Sequence, residues 1–180
     1  MFVSEILTHP PQRFEGVLQE KIYHFLAENA IAFERVENDP ARTMEDCKEV
    51  SKKLDSPIAK TLFLCNRQQT KFYLYLMPED KPFVTREFSK SLDIARVSFA
   101  SEALLKEKMG VEPGAATLFC LLLESASDVQ LVIDKKVLDV ATFGCTDGSF
   151  CCYMKLKTED VTGVILPALD KAQKRIILEE

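Results

Sequence analysis

Lys60-Thr61-Leu62-Phe63-Leu64-Cys65-Asn66, then Arg67-Gln68-Gln69-Thr70, then Lys71-Phe72-Tyr73-Leu74-Tyr75-Leu76-Met77 is the stretch on which the fold turns. Two apolar, aromatic-rich runs flank four polar residues, which is the pattern of a β-hairpin with a short connection. Local pairing is therefore antiparallel. Upstream, Leu18, Ile22, Phe25 and Leu26 recur at helical spacing within residues 15–29 and predict an amphipathic helix. Residues 31–37 alternate like a strand. Thr43 followed by Asp46 predicts a helix start, with the hydroxyl accepting a backbone N–H and the carboxylate at the positive helix end. Pro57 limits that helix, because the residue before proline avoids helical angles.

Downstream, the pattern predicts a short helix over residues 86–92, a strand over 96–99, and a helix over 102–109 that stops at Gly110. The apolar runs 118–123 and 129–133 predict central strands, and 151–156 a further one. Hairpins mixed with isolated helices imply an α+β fold. We expect a mixed, mostly antiparallel central sheet flanked by helices, because a doubly wound parallel sheet would need regular strand–helix alternation.

The 180 residues, 47% hydrophobic and 28% charged, suit one globular domain, placed at 15–170. Residues 1–14, with Pro10-Pro11, read as an N-terminal extension, and 171–180 as a C-terminal tail. Pro167 should break or kink the last helix. No apolar run approaches the ~20 residues of a membrane helix, and the start lacks the order of a secretory signal. The expected location is the cytoplasm, with no membrane partner. Six cysteines without an export signal or a Cys-x-x-Cys pair read as reduced thiols. Cys145, Cys151 and Cys152 lack a partner histidine and ligand spacing, so no metal and no cofactor is expected. The net charge of −5 argues against bulk attraction to DNA or RNA. Lys48, Lys52, Lys53 and Lys60 gather on one segment, as a local basic patch or as a solvated helix face. Nucleotide-phosphate loops are absent from the sequence.

Two features bear on chemistry. Lys60 opens its strand, so its ammonium either escapes to solvent or sits in a partly desolvated cleft. The segment Gly110-Val111-Glu112-Pro113-Gly114-Ala115 fixes a turn. It is either a helix C-cap followed by a loop, or a set of exposed N–H groups able to hold an oxyanion.

Together with Ile58-Ala59-Lys60-Thr61-Leu62-Phe63-Leu64 and Val97-Ser98-Phe99-Ala100-Ser101-Glu102, these residues resemble the YbaK/ProX family, which includes the prolyl-tRNA editing domains. The resemblance spans about residues 17–170. It implies an aminoacyl-tRNA deacylase acting in trans, typically on alanine attached to proline tRNA, with the aminoacylated tRNA 3′ end as partner and an aminoacyl-tRNA synthetase as a further one. It places Lys60 as the catalytic cation and Gly110 and Gly114 near the ester carbonyl. It also assigns substrate contacts to Thr43, Met44, Cys47, Val111, Pro113, Ala115, Thr146 and Phe150. Taken as single residues, Met44 and Cys47 read as plain core packing.

The sequence departs from the family where Gly-Cys-His-Pro and a following Asn-Thr are expected. Thr146 stands for the histidine, Asp147 for the proline and Phe150 for the asparagine. An earlier His-Pro corresponds to Asn38-Asp39. The two histidines, His9 and His24, lie outside the motifs, so histidine base catalysis is not expected. The expected activity is an altered or weakened deacylase. The alternatives are a tRNA-binding module in which Thr146 and Phe150 ended catalysis, and a thiol sensor on Cys151-Cys152, which would need an exposed thiol of low pKa.

Overall fold

A computed structural model describes residues 1–41, 43–170 and 173–179, and of Met44 the backbone alone. The chain runs through α1 (Val17–Glu28), β1 (Glu34–Glu37), α2 (Met44–Leu54), β2 (Lys60–Cys65) and β3 (Phe72–Met77). Then come α3 (Thr85–Ser91), β4 (Ser98–Phe99), α4 (Glu102–Met109), β5 (Val129–Asp134), β6 (Thr142–Thr146) and β7 (Cys152–Lys157). The helical stretch α5, residues 158–169, and β8 (Ile176–Leu178) complete it. The predicted hairpin forms as β2 and β3, antiparallel, with Lys60 opposite Met77 and Cys65 opposite Phe72.

The described strands form two sheets where one central sheet was expected. The larger has the order β4-β2-β3-β5-β8, antiparallel at β2–β3 and β2–β4 and parallel at β3–β5 and β5–β8. The smaller, β1-β7-β6, is antiparallel throughout. The α+β class and its mostly antiparallel mixed character hold. Residues 57–59 stitch the sheets together: Gly144 N–H donates to the Pro57 carbonyl at 3.0 Å, and Ala59 N–H donates to the Gly144 carbonyl at 2.8 Å. This approach needs glycine. A Cβ at position 144 would stand 2.6 Å from both the Pro57 carbonyl oxygen and Ile58 Cδ1.

The main core lies between α1, the larger sheet and the 118–122 segment. α1 buries Leu18, Ile22 and Leu26, while Phe25 is half-buried and meets the Phe119 ring edge-on. The expected strand at 118–123 is a 3₁₀ turn instead, Leu118–Leu122, with Cys120 N–H bonded to Thr117 O and Leu123 N–H to Cys120 O. A short, wholly apolar run carries no periodicity to separate buried strand from buried helix. The predicted strand at 96–99 shrinks to Ser98–Phe99.

β6 was not foreseen, and the expected C-terminal tail contains β8, parallel to β5. The expected N-terminal extension lies along β1. Leu7 and Arg35 exchange two backbone hydrogen bonds of 2.8 Å, and the buried Arg35 guanidinium donates to the His9 carbonyl and to Glu37. Pro167 does not break the last helix. A π turn at Val161–Ile165 precedes it, and such a turn relaxes the clash of a proline ring with the carbonyl four residues back.

Candidate functional site

Three segments converge beside the stitch between the sheets. α2 begins at Thr43, which forms a capping box with Asp46: Asp46 N–H donates to Thr43 Oγ1 at 3.2 Å, and Thr43 N–H donates to Asp46 Oδ2 at 3.0 Å. Such a cap stabilises a helix start by about 1 kcal/mol. It fixes Thr43 and Cys47 on one side of a cavity of about 180 Å³. Lys60, at the head of β2, lines the same cavity with Ile58, Ala59 and Thr61. Gly114 and Ala116 close a third side, and Thr146 and Tyr153 a fourth.

Lys60 is half-buried and donates from Nζ to the Lys81 carbonyl at 2.7 Å. Of the two readings of this side chain, the partly desolvated cleft is the one seen. Cys47 Sγ lies 3.7 Å from the Tyr153 hydroxyl, and both groups are pushed above their ordinary pKa values chiefly by burial. The cavity wall there is therefore neutral. Thr146 is buried, and its hydroxyl is used within its own turn, donating to the Ser149 carbonyl and accepting from Gly148 N–H.

The Gly110–Ala115 segment divides between two places. Gly114, at φ +94, lines the Lys60 cavity, and among the described residues its N–H has no partner within the chain. Gly110 does not join it. With φ +67 it caps α4, and its N–H is spent on the Lys106 carbonyl at 3.0 Å, so the helix C-cap reading holds for Gly110. Gly110, Val111, Ala115 and Phe150 line a separate cavity of about 210 Å³. Val111 and Ala115 are buried there, and Pro113 is exposed and lines neither cavity. Of Met44, the side chain lies outside the described residues. Phe150 packs against the main core and does not plug the Lys60 cavity. Across the Ile58–Ala59 wall lies a larger cavity of about 510 Å³, bordered by Lys81, Lys136 and Phe143.

Tyr153 was missed in the sequence, although β6–β7 pairing sets it directly opposite Thr146. The positions that depart from the resemblance form a network of their own. Asp147 is fully buried. Its Oδ2 accepts from Gln19 at 2.8 Å and from the Tyr23 hydroxyl at 2.9 Å, and its Oδ1 from the Ser149 hydroxyl at 3.0 Å. Asn38 Nδ2 donates to the Phe150 carbonyl, and Asp39 accepts from Phe2 N–H, so both are occupied in holding loops. Cys152 is buried beside Tyr23 and Arg35, and its thiol is held well above the usual range by burial and then by the Asp147 charge. This environment is the reverse of what a reactive thiol needs. Of the lysines gathered on residues 48–60, Lys48 pairs with Glu45 and Lys53 with Glu5, as on a solvated helix face.

The sequence profile of the aminoacyl-tRNA editing domain matches residues 38–163. The prolyl-tRNA editing protein ProX of Acetoanaerobium sticklandii is 24% identical over 140 residues, covering 78% of this chain and 85% of that protein. Prolyl-tRNA synthetase associated domain-containing protein 1 of Xenopus laevis is 26% identical over 163 residues, covering 81% of this chain and 95% of its own length. Among solved structures, a proposed trans-editing enzyme for prolyl tRNA synthetase superposes with a TM-score of 0.66 at 13% identity, covering 93% of this chain and all (100%) of that one. The protein APE2540 does so with a TM-score of 0.67 at 16% identity, over 87% of this chain and 96% of that one. These two show a shared fold. A profile match over most of the chain, across the segments that carry Thr43, Lys60, Gly114 and Thr146, shows that the chain belongs to the aminoacyl-tRNA editing domain family.

Proposed function

We propose that this chain is a trans-editing hydrolase that deacylates mischarged tRNA, of the alanyl-tRNA(Pro) kind, in the cavity between Lys60 and Gly114. The observation that carries this reading is that Lys60 and Gly114 line one small cavity, Gly114 with an N–H that no described residue accepts. Water attacks the ester carbonyl carbon, and charge develops on the carbonyl oxygen. The carbon–oxygen bond to the ribose then breaks, and the ribose oxygen takes a proton to regenerate the tRNA hydroxyl. Lys60 and the Gly114 N–H stabilise the developing oxyanion, where preorganised donors contribute several kcal/mol.

No histidine serves as base: His9 bonds the Pro10 carbonyl and His24 meets the Phe14 ring edge-on. The neighbouring ribose hydroxyl of the tRNA takes the role of activating the water. Cys47, Ile58 and Tyr153 bound the space for the amino acid, favouring a small apolar side chain, because such a pocket excludes bulk better than it rejects something smaller. The larger cavity across Ile58–Ala59 is of a size to receive the terminal nucleoside. With a net charge of −5 the chain has little bulk attraction for tRNA, which fits delivery by a prolyl-tRNA synthetase. The test is release of alanine from alanyl-tRNA(Pro) by the wild-type chain and by Lys60→Ala. Wild-type release no faster than a buffer blank would reject the reading.

A further inference from the structure

Lys60 and the buried carboxylate of Asp134 are joined through one residue that belongs to neither. Lys81, in the loop after β3, presents its backbone carbonyl to Lys60 Nζ at 2.7 Å and its own Nζ to Asp134 Oδ2 at 2.5 Å. Asp134 ends β5, is 3% exposed, and also accepts from the Tyr75 hydroxyl at 3.5 Å and from Lys136 N–H at 3.0 Å. Burial raises the Tyr75 hydroxyl's pKa, so it remains a donor there. Asp134 is thus a rigid anchor at the end of a central strand. Lys81 is half-exposed, and a lysine stem left to itself would sample many rotamers in water.

We propose that the Lys81–Asp134 ion pair is a strut that positions Lys60. By drawing the loop onto the end of β5, it fixes the carbonyl that in turn holds the Lys60 ammonium at its cavity. Lys81 and Asp134 act on Lys60 as positioning residues: neither lines the Lys60 cavity, although Lys81 also borders the larger cavity across Ile58–Ala59. The catalytic consequence rests on the deacylase reading above. Displacing a catalytic group by ~1 Å can cost on the order of 10²-fold in rate.

Two measurements test the strut and keep its failure distinct from failure of the deacylase reading. The first needs no substrate: trace acetylation of the intact protein with acetic anhydride, followed by peptide mass spectrometry, reads Lys60 reactivity against the other lysines. Lys81→Met keeps the carbonyl and the stem but removes the charge. It is expected to raise Lys60 reactivity by about threefold or more, while Lys81→Arg stays near wild type. Unchanged Lys60 reactivity in a Lys81→Met chain that melts normally would overturn the strut.

The second is alanyl-tRNA deacylation. Lys81→Met lowers kcat by about tenfold, and that loss in kcat disappears when it is added to Lys60→Ala, while any KM change common to both backgrounds reports the place of Lys81 on the larger cavity. Equal losses of kcat in both backgrounds would mark Lys81 as merely structural and overturn the proposal. If the wild-type chain releases no alanine, the deacylase reading fails, and the acetylation result still decides the strut.

Discussion

Gly144 and Asp147 stand on one stretch of chain and serve opposite needs. At Gly144 the absence of a side chain lets two sheets touch, and the Lys60 cavity lies open beside that contact. At Asp147 a buried carboxylate gathers α1 and its own turn, and the polar atoms there are consumed by the protein. The cleft and the turn have parted company. Where the resemblance expects His, Pro and Asn, this chain carries groups that hold structure, while Lys60 and Gly114 still face a cavity.

The largest effects should come from breaking the turn or the stitch. Asp147→Ala leaves the Tyr23 hydroxyl and the Gln19 amide buried without their acceptor, and should cost about 3 kcal/mol of stability. Gly144→Ala forces a Cβ against the Pro57 carbonyl, and should cost a similar ~3 kcal/mol. Urea unfolding measures both. A loss under about 1 kcal/mol for Asp147→Ala would mean the network does not hold the turn.

Lys60→Ala should invert that pattern. The rate of deacylation should fall by about 10²-fold or more, while the urea midpoint hardly moves, because a half-buried lysine bonded to one carbonyl contributes little to stability. Parallel losses of stability and activity would erase the distinction between cleft and turn.

Much of this division was legible in the sequence. The β2–β3 hairpin, α4 and the Thr43–Asp46 cap follow from local patterns, and each is found where those patterns put it. β6 escaped because Thr142-Phe143-Gly144-Cys145-Thr146 alternates poorly and holds a glycine, whose reason is a contact with residues 57–58, far away in sequence. The sequence left both readings of Gly110 open, because a helix cap and an oxyanion turn use the same residue types, and only its spent N–H separates them. Asp147 offered no sign of its partners, since Gln19 and Tyr23 come from the first helix.

The buried thiols give a gentler test. Cys120, in the core, and Cys145, next to Gly144, are pushed by burial from the ordinary 9.0 to about 12. Below pH 9.0 both states keep these protons, and the stabilisation is complete. As pH rises toward 12 the unfolded chain releases protons that the folded chain keeps, so stability falls by up to about 1.4 kcal/mol per pH unit for each thiol. Tyr23, Tyr75 and Tyr153, raised in the same direction, add losses of the same sign at higher pH. Urea midpoints should be level below about pH 8.5 and decline steadily above it. A flat profile would show that these groups are wetter than their surroundings imply.

The smallest expected effect is the sharpest test of the comparison. Phe150→Asn restores the residue type that the resemblance places there, and if Phe150 obstructed the substrate, activity should climb. Phe150, however, lines the cavity of Gly110 and Val111 and packs on the main core, while the Lys60 cavity is walled by Thr146 and Tyr153. An asparagine there loses apolar burial, worth about 1–2 kcal/mol, and gains no access to Lys60. The deacylation rate should therefore stay within about threefold of wild type while the urea midpoint falls. A tenfold rise in rate would mean that the turn still governs the cleft, and that the two regions remain one site.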